Sequence, residues 1–332
     1  MDVEDLRLLR ALQLAPRAGF ATLAGILGAH ERTVARRYRR LRRAGIVRIV
    51  GMVNPLAVGH QLWQVRLRCR PDAAQGLATA LAARADIAWM GVSAPGSEVS
   101  FSVRSLSARQ RDLLLTRLLP RSAQVHDIEA SVVLHVFLGL GSRGWSQLDP
   151  LLTPAEIARL TAEHPPAGEI IDIPAEPHDA ALFDVLAADG RATTARLAEA
   201  AGISPGRAAR RLDTLVRTRS LVLDVDLAHE ALGYTTWAQL YCAVSPSRLH
   251  EVGETMARLP AVGFVAALSG RHNLIIAVCC RDLAELYEFS TRYAGAAEGI
   301  VTMEVVPFGR VVKQSGGLVA DGRLVDPAGS EA

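Results

Sequence analysis

The 332-residue sequence repeats itself. Sliding the chain along itself by 174 places aligns Asp5 with Asp179, Leu8 with Leu182 and Leu12 with Leu186. The same shift pairs Arg17 with Arg191, Leu23-Ala24 with Leu197-Ala198 and Gly28 with Gly202. It continues through Arg36-Arg37 with Arg210-Arg211, Leu41 with Leu215, Gly59 with Gly233 and Trp63 with Trp237. The register holds without a gap over nearly 60 residues, so the chain is two copies of one unit of about 140 residues and a connecting segment.

Within each unit the hydrophobic period changes from that of helices to that of strands. Residues 3–14 put Leu6, Leu9 and Leu12 on one stripe. Shorter helices follow over 22–27 and over 30–43, the latter ending at Gly45, a left-handed C-cap residue. The second copy repeats this over 179–188, 194–201 and 204–217. There Ser204 is a good N-cap and Pro205 suits the first turn, whereas the matching His30 is a poor cap. Past residue 60 the pattern becomes strand, helix, strand, strand, helix, strand. It occupies 63–70, 73–83, 87–93, 99–103, 108–119 and 125–137 in copy one. In copy two it occupies 236–244, 248–259, 262–269, 274–280, 283–293 and 300–312. The expected fold is α+β: two winged-helix-like helix-turn-helix domains alternating with two ferredoxin-like βαββαβ domains, each an antiparallel sheet with helices on one face. The expected boundaries are 1–50 and 60–137 for copy one, 178–226 and 233–314 for copy two. Between them lies a linker, 138–177, with a short helix at 153–163, and the tail 315–332 reads as frayed.

Composition narrows the function classes. Half the residues are apolar, 5% are aromatic and 21% are charged, as in a globular protein with ample core material. No apolar stretch approaches the ~20 residues of a membrane span, and the charged N-terminus does not read as a secretory leader. The four cysteines, Cys69, Cys242, Cys279 and Cys280, lack metal spacing, and the adjacent pair points to opposite faces of a strand. They read as core residues in a reducing cytoplasm. Gly139-Leu140-Gly141-Ser142-Arg143-Gly144 matches the dinucleotide string GxGxxG, but no βαβ unit surrounds it, so it reads as a flexible linker. His126 and His135 have no carboxylate or cysteine at ligand spacing. No catalytic constellation, metal site or cofactor is expected.

Charge is unevenly placed. Of 37 basic residues only Lys313 is lysine, and the net charge is +3. Residues 1–60 carry eleven Arg against four acids, net +7, while 178–234 carry seven Arg against eight acids, net −1. On the third helix Val34, Tyr38 and Leu41 form the buried stripe, which leaves the arginines on other faces. A basic third helix in a helix-turn-helix points to double-stranded DNA, since the guanidinium fork binds phosphate or the guanine edge through two parallel bonds. The candidate DNA-binding residues are Arg32, Thr33, Arg36, Arg37, Arg39, Arg40 and Arg43. The second copy adds a weaker set, Ser204, Arg207, Arg210 and Arg211. The strand 63–70 alternates an apolar face with an arginine face, Arg66, Arg68 and Arg70, read as exposed and polar.

The run Asp5…Leu8-Leu9…Leu12…Arg17…Leu23-Ala24…Gly28…Thr33-Val34…Arg37…Leu41…Gly45-Ile46-Val47…Gly59 resembles the N-terminal signature of Lrp/AsnC transcription regulators. So does Asp179…Asp189-Gly190-Arg191…Leu197-Ala198…Gly202-Ile203-Ser204…Arg211-Leu212…Leu215…Gly233-Tyr234, and the likeness covers about 300 residues in two passes. Copy one departs from the pattern, with Ala15-Pro16 before Arg17 and His30 where Ser is typical. The resemblance implies a cytoplasmic DNA-binding regulator with a βαββαβ domain that binds a small effector, often an amino acid. It also implies that the effector-domain sheets pair, within the chain, between chains or both, and that the protein is a homo-oligomer through them. By resemblance Gly270, His272 and Asn273, at the turn between the central strands of copy two, line an effector site. Asn273 stands where the family favours Asp, and Val99 stands there in copy one. Siroheme decarboxylases share this architecture and are the enzyme alternative, although 266–273 lacks their His-Tyr-x-Arg type of sequence. A pure interaction module with inactive helix-turn-helix units is the third reading.

Overall fold

The computed structural model describes residues 1–104, 109, 112–120, 122–139, 144–163 and 170–325. Helix α1 (Val3–Leu14) starts from a reciprocal cap: the Asp5 N–H donates to the Asp2 carboxylate and the Asp2 N–H donates back to Asp5. Helix α2 (Phe20–Leu27) stops at Gly28 with φ 68°, and α3 (Glu31–Arg43) follows after the tight turn. Leu8, Leu9, Leu12, Leu23, Val34, Tyr38 and Leu41 meet in one core, each burial contributing about 1.5–3 kcal/mol. Strand β1 (Val47–Val53) leads to the first βαββαβ unit, β2 (Leu62–Cys69), α4 (Pro71–Ala82), β3 (Ile87–Ser93) and β4 (Glu98–Arg104). A π-helical stretch, α5 (Leu113–Leu118), and β5 (Val125–Leu138) complete it. The rest of the helix expected over 108–119 and most of the 139–144 glycine string fall outside the described residues.

The connecting helix α6 (Pro154–Glu163) has the Thr153–Glu156 capping box and packs on copy one. Arg7 pairs with Glu156 and Arg10 with Asp149, both at 2.5 Å. Copy two then runs α7 (Asp179–Ala188), α8 (Thr194–Ala201), α9 (Pro205–Arg217) and β6 (Leu221–Leu227). Its second unit is β7 (Thr236–Val244), α10 (Leu249–Ala257), β8 (Val262–Leu268), β9 (Leu274–Cys280), α11 (Leu283–Glu288), which continues as a π-helix to Ala294, and β10 (Ile300–Gln314). Two short strands follow, β11 (Gly317–Ala320) and β12 (Arg323–Leu324).

The two units do not form separate sheets. Copy one orders its strands β3-β4-β2-β5 and copy two β8-β9-β7-β10. The edge strand β5 pairs with β8, and β10 pairs with β3 as well as with β7. Eight antiparallel strands thereby close into one barrel, each unit satisfying the free edges of the other. Of the pairings expected for the two sheets, the one within the chain is present.

Closure also reverses the reading of the arginine face on β2. Arg66 is 2% exposed and Gln64 4%, because that face points inward. Arg66 binds Glu98 bidentately at 3.0 and 2.8 Å and Glu304 at 2.9 Å, and its guanidinium lies 4.0 Å from the Tyr241 ring centroid. Arg68 and Arg70 remain exposed and pair locally with carboxylates. All four cysteines are buried and free, and burial pushes the Cys242 and Cys280 thiols up to about 12.

A second correction concerns β1 and β6, which pair antiparallel from Val47–Leu227 to Val53–Leu221. This two-stranded ribbon follows both third helices directly. One of its faces sends Val47, Ile49, Val225 and Leu227 into the first helical core and Leu221 and Leu223 toward the second. The other face holds Arg48, Met52, Asp224 and Asp226 toward the barrel. Third, residues 315–325 are ordered as a strap. The Gly45 carbonyl accepts from the Leu324 N–H, and Arg48 donates to the Val325 and Gln314 carbonyls and to Asp226. Arg48 and Asp226 are 2% and 0% exposed, so a buried charge pair needing extra acceptors holds the strap down. Gly45, at φ 63°, accommodates it, since a Cβ there would sit 2.6 Å from the Leu324 oxygen. Residues 326–332 of the expected tail lie outside the described residues.

Candidate nucleic-acid interface

Helix α3 carries its arginines in two groups. Arg37 donates to Asp2 and Asp5 at 2.7 Å, and Arg40 donates to Asp5 at 2.5 Å. Asp5 is fully buried, so these bonds hold α3 against the start of α1. The carboxylates raise the Arg37 guanidinium above its ordinary range, and the bond from Arg37 holds Asp2 below the usual carboxylate range. Arg32, Arg36 and Arg43 are exposed and, among the described residues, make no side-chain hydrogen bond or ion pair. Arg39 is exposed and donates only to the Ala35 carbonyl of its own helix. The side chains of Arg36, Arg39, Arg40 and Arg43 line one shallow open depression. Thr33 is half-buried near the helix start. His30 caps the helix without a side-chain bond, as expected for that residue.

Helix α9 repeats the geometry with less charge to spare. Ser204 caps it, its hydroxyl accepting from the Arg207 N–H. Arg211, aligned with Arg37 in the repeat, is 9% exposed and binds Asp179 at 2.8 and 2.6 Å and the Pro174 carbonyl at 2.9 Å. Burial pushes Asp179 up, but its bonds with Arg211 outweigh that and hold it below the usual range. Arg207 pairs with Glu176 and Arg217 with Asp213. Arg210 is the one arginine of α9 left exposed without a side-chain partner among the described residues.

Arg37 and Arg211 therefore serve as internal braces, and Arg40 divides its role between brace and surface. Sequence patterning points all three at DNA, because it weighs only the acids on the same helix. Asp5 and Asp179 sit on α1 and α7, and their match across the repeat is the signal that could have found them.

The proposed effector turn also serves the fold. Gly270 has φ 98°, a backbone that favours glycine. The Asn273 amide donates to the Val244 carbonyl at 2.8 Å, and its oxygen accepts from the Val244 N–H at 2.7 Å, clamping the end of β7. His272 points at the barrel's inner polar cluster, 3.7 Å from Glu129. Among the described residues there is no cluster of three or more His, Cys, Asp or Glu able to hold a metal ion, and no helix long and apolar enough to cross a membrane.

Comparison with known proteins agrees with this layout. An AsnC-type helix-turn-helix domain matches residues 1–42, a winged helix-turn-helix DNA-binding domain 178–218, and an Lrp/AsnC ligand-binding domain 240–318. An uncharacterised HTH-type transcriptional regulator of Pyrococcus abyssi is 25% identical over 127 residues, 38% of this chain and 80% of that protein. One of Pyrococcus furiosus is 25% identical over 138 residues, 41% of this chain and 93% of that protein. A solved siroheme decarboxylase shares the fold at TM-score 0.61 and 14% identity, covering 94% of this chain and 92% of that one. With two helix-turn-helix segments, an Lrp/AsnC ligand-binding domain and relatives described as HTH-type transcriptional regulators, the chain is built from the domains of Lrp/AsnC-type DNA-binding transcription regulators and is similar to them.

Proposed function

We propose that a single chain presents both halves of a DNA-binding dimer, with α3 as the main reading helix and α9 as a weaker second half. The observation that carries this is the set of exposed arginines on α3 without intramolecular partners, Arg32, Arg36 and Arg43, against Arg210 alone on α9. Arg32, Thr33 and Arg36 near the start of α3 reach base edges, and Arg39, Arg40 and Arg43 bind phosphate. The β1–β6 ribbon joins the two helical units and fixes their spacing, so the operator has two unequal half-sites. A small effector, an amino acid or a molecule of similar size, acts in the cytoplasm by shifting that spacing. Because the barrel has consumed its sheet edges, association between chains uses its helix-covered outside.

Salt-dependent anisotropy on the chain's own promoter duplex tests this. Arg36→Ala and Arg43→Ala each weaken binding, and each lost phosphate contact flattens the log–log salt slope by ~0.9. Arg210→Ala has a smaller effect. Affinity that ignores salt contradicts the proposal. The fold shared with a siroheme decarboxylase over almost the whole chain supports an enzyme as the second reading. A tetrapyrrole absorbance band in the purified protein would favour that reading over a chain that binds without catalysing.

A further inference from the structure

One mouth of the barrel, under the β1–β6 ribbon, holds a cavity of ≈ 160 Å³. Three of the four tryptophans line it: Trp89 from β3, Trp237 from β7 and Trp145 from the connecting segment. A cavity of about 150 Å³ accommodates one benzene ring, so this space suits a small aromatic body. Its polar groups are specific. Arg104, at the end of β4, reaches the cavity while donating to the Met52 sulfur at 2.9 Å. It makes no direct ion pair among the described residues, although the Asp224 and Asp226 carboxylates lie near enough to offset part of its burial, and its Nε is buried without a hydrogen-bond partner. The Gln64 amide nitrogen, lining the same cavity, is likewise buried and unpartnered. Arg66, two residues along the same strand from Gln64, differs in being fully satisfied by Glu98 and Glu304. Buried donors lacking acceptors cost free energy until an acceptor arrives.

We infer that this cavity is an effector site for a small aromatic carboxylate, its ring among the tryptophans and its oxygens on Arg104 and Gln64. This rests on the regulator reading and deepens it. The position also supplies the coupling. Met52 belongs to β1 and Asp224 to β6, and both line the cavity wall. A carboxylate that takes the Arg104 guanidinium competes with its bond to Met52, and so acts on the ribbon that directly follows α3 and α9. Ser315, whose hydroxyl donates to Asp224 at 2.5 Å, links the strap to the same wall.

Titration of the intact chain with phenylacetate, L-phenylalanine and uncharged 2-phenylethanol, read by tryptophan emission, tests the inference. At least one of the two carboxylates should give a saturable change, and 2-phenylethanol should bind about tenfold or more weakly, the loss expected from one charge-assisted hydrogen bond. Arg104→Met should remove that advantage and Arg104→Lys should retain part of it. Preference for phenylalanine assigns an amino acid, and preference for phenylacetate assigns an aryl acid lacking the ammonium group. No saturable change at millimolar concentration, or equal binding of acid and alcohol by the wild type, overturns the assignment. Parallel DNA titrations separate the two readings. A chain that binds duplex but no acid loses only the cavity assignment, and one that binds acid through Arg104 but no duplex loses the regulator reading.

Discussion

Arg17 and Arg191, the same position of the repeat, cross between the two helical units as a reciprocal pair. Arg17 donates to the Gly190 and Ala192 carbonyls at 2.5 and 2.9 Å, and Arg191 donates to those of Pro16 and Ala18 at 2.6 and 2.8 Å. Each guanidinium thus holds the turn after the other unit's first helix. Burial and the neighbouring positive charge of Arg191 lower the Arg17 pKa, so the carbonyl acceptors offset a repulsion as well as a desolvation cost. Arg191 also lies 4.7 Å from the Phe20 ring centroid.

This pair joins the two helical units, so each half matters equally to how α3 and α9 are placed. Arg17→Met or Arg191→Met should each cost about 2–4 kcal/mol in urea denaturation, the range for losing charged hydrogen bonds to buried acceptors. The double variant should cost less than the two singles added, because both break one interface. Affinity for a duplex with two half-sites should fall, while affinity for one half-site should stay the same.

The repeat makes much of this legible. Arg17 and Arg191 align in the sequence itself, as do Asp5 with Asp179 and Arg37 with Arg211, and helix and strand periods locate most elements. The arrangement between elements is not legible there. Strand β1 finds its partner β6 about 174 residues away, and its sequence VRIVGMV is too short and too uniformly apolar to show which element covers it. The alternation on β2 marks two unlike faces, but Arg66 becomes the inward one only because Glu98 and Glu304 arrive from β4 and β10. The aromatic cavity likewise combines tryptophans from three distant segments, and no local spacing records that.

Brace and reader arginines should separate in experiment. Arg211→Met leaves the buried Asp179 carboxylate without its guanidinium, and removing one partner of a buried pair costs about 3–5 kcal/mol. Arg36→Ala, on an exposed side chain without partners, should change stability by no more than about 0.5 kcal/mol. DNA titration should show the opposite ranking once each variant is measured at a temperature where it is folded. Equal loss of stability in both would show that the division of the arginines is wrong.

Acid stability should report His229. Burial depresses its pKa from 6.5 to about 4, with its ring edge-on to Trp145 and Trp237 at 4.7 and 4.8 Å. The unfolded chain therefore binds a proton that the folded chain refuses, and stability rises with pH between about 4 and 6.5. The full difference is about 3 kcal/mol, lost as pH falls through that window. Equilibrium denaturation of the wild type and of His229→Gln across the window should differ in slope by about one proton, with the variant flatter. Parallel curves would mean that His229 titrates normally in the fold.

The strap is ordered although its Gly- and Asp-rich sequence predicts fraying, so its contacts should carry measurable stability. Truncation after Gln314 removes the Val325 carbonyl from Arg48, the Leu324 bond to Gly45 and the Ser315 bond to Asp224, while leaving the Arg48–Asp226 pair. The guanidinium keeps the Asp226 carboxylate and the Gln314 carbonyl but gains solvent on one side. Losing two charge-assisted bonds and one neutral backbone bond at a buried site should cost at least about 2–4 kcal/mol. Arg48→Met in the full chain should cost as much or more, since it leaves Asp226 buried and unpaired. The two changes together should fall short of their sum, because the strap and Arg48 share the same contacts. Denaturation midpoints of the four proteins test the cycle, and an additive result would show that the strap stabilises the chain independently of Arg48.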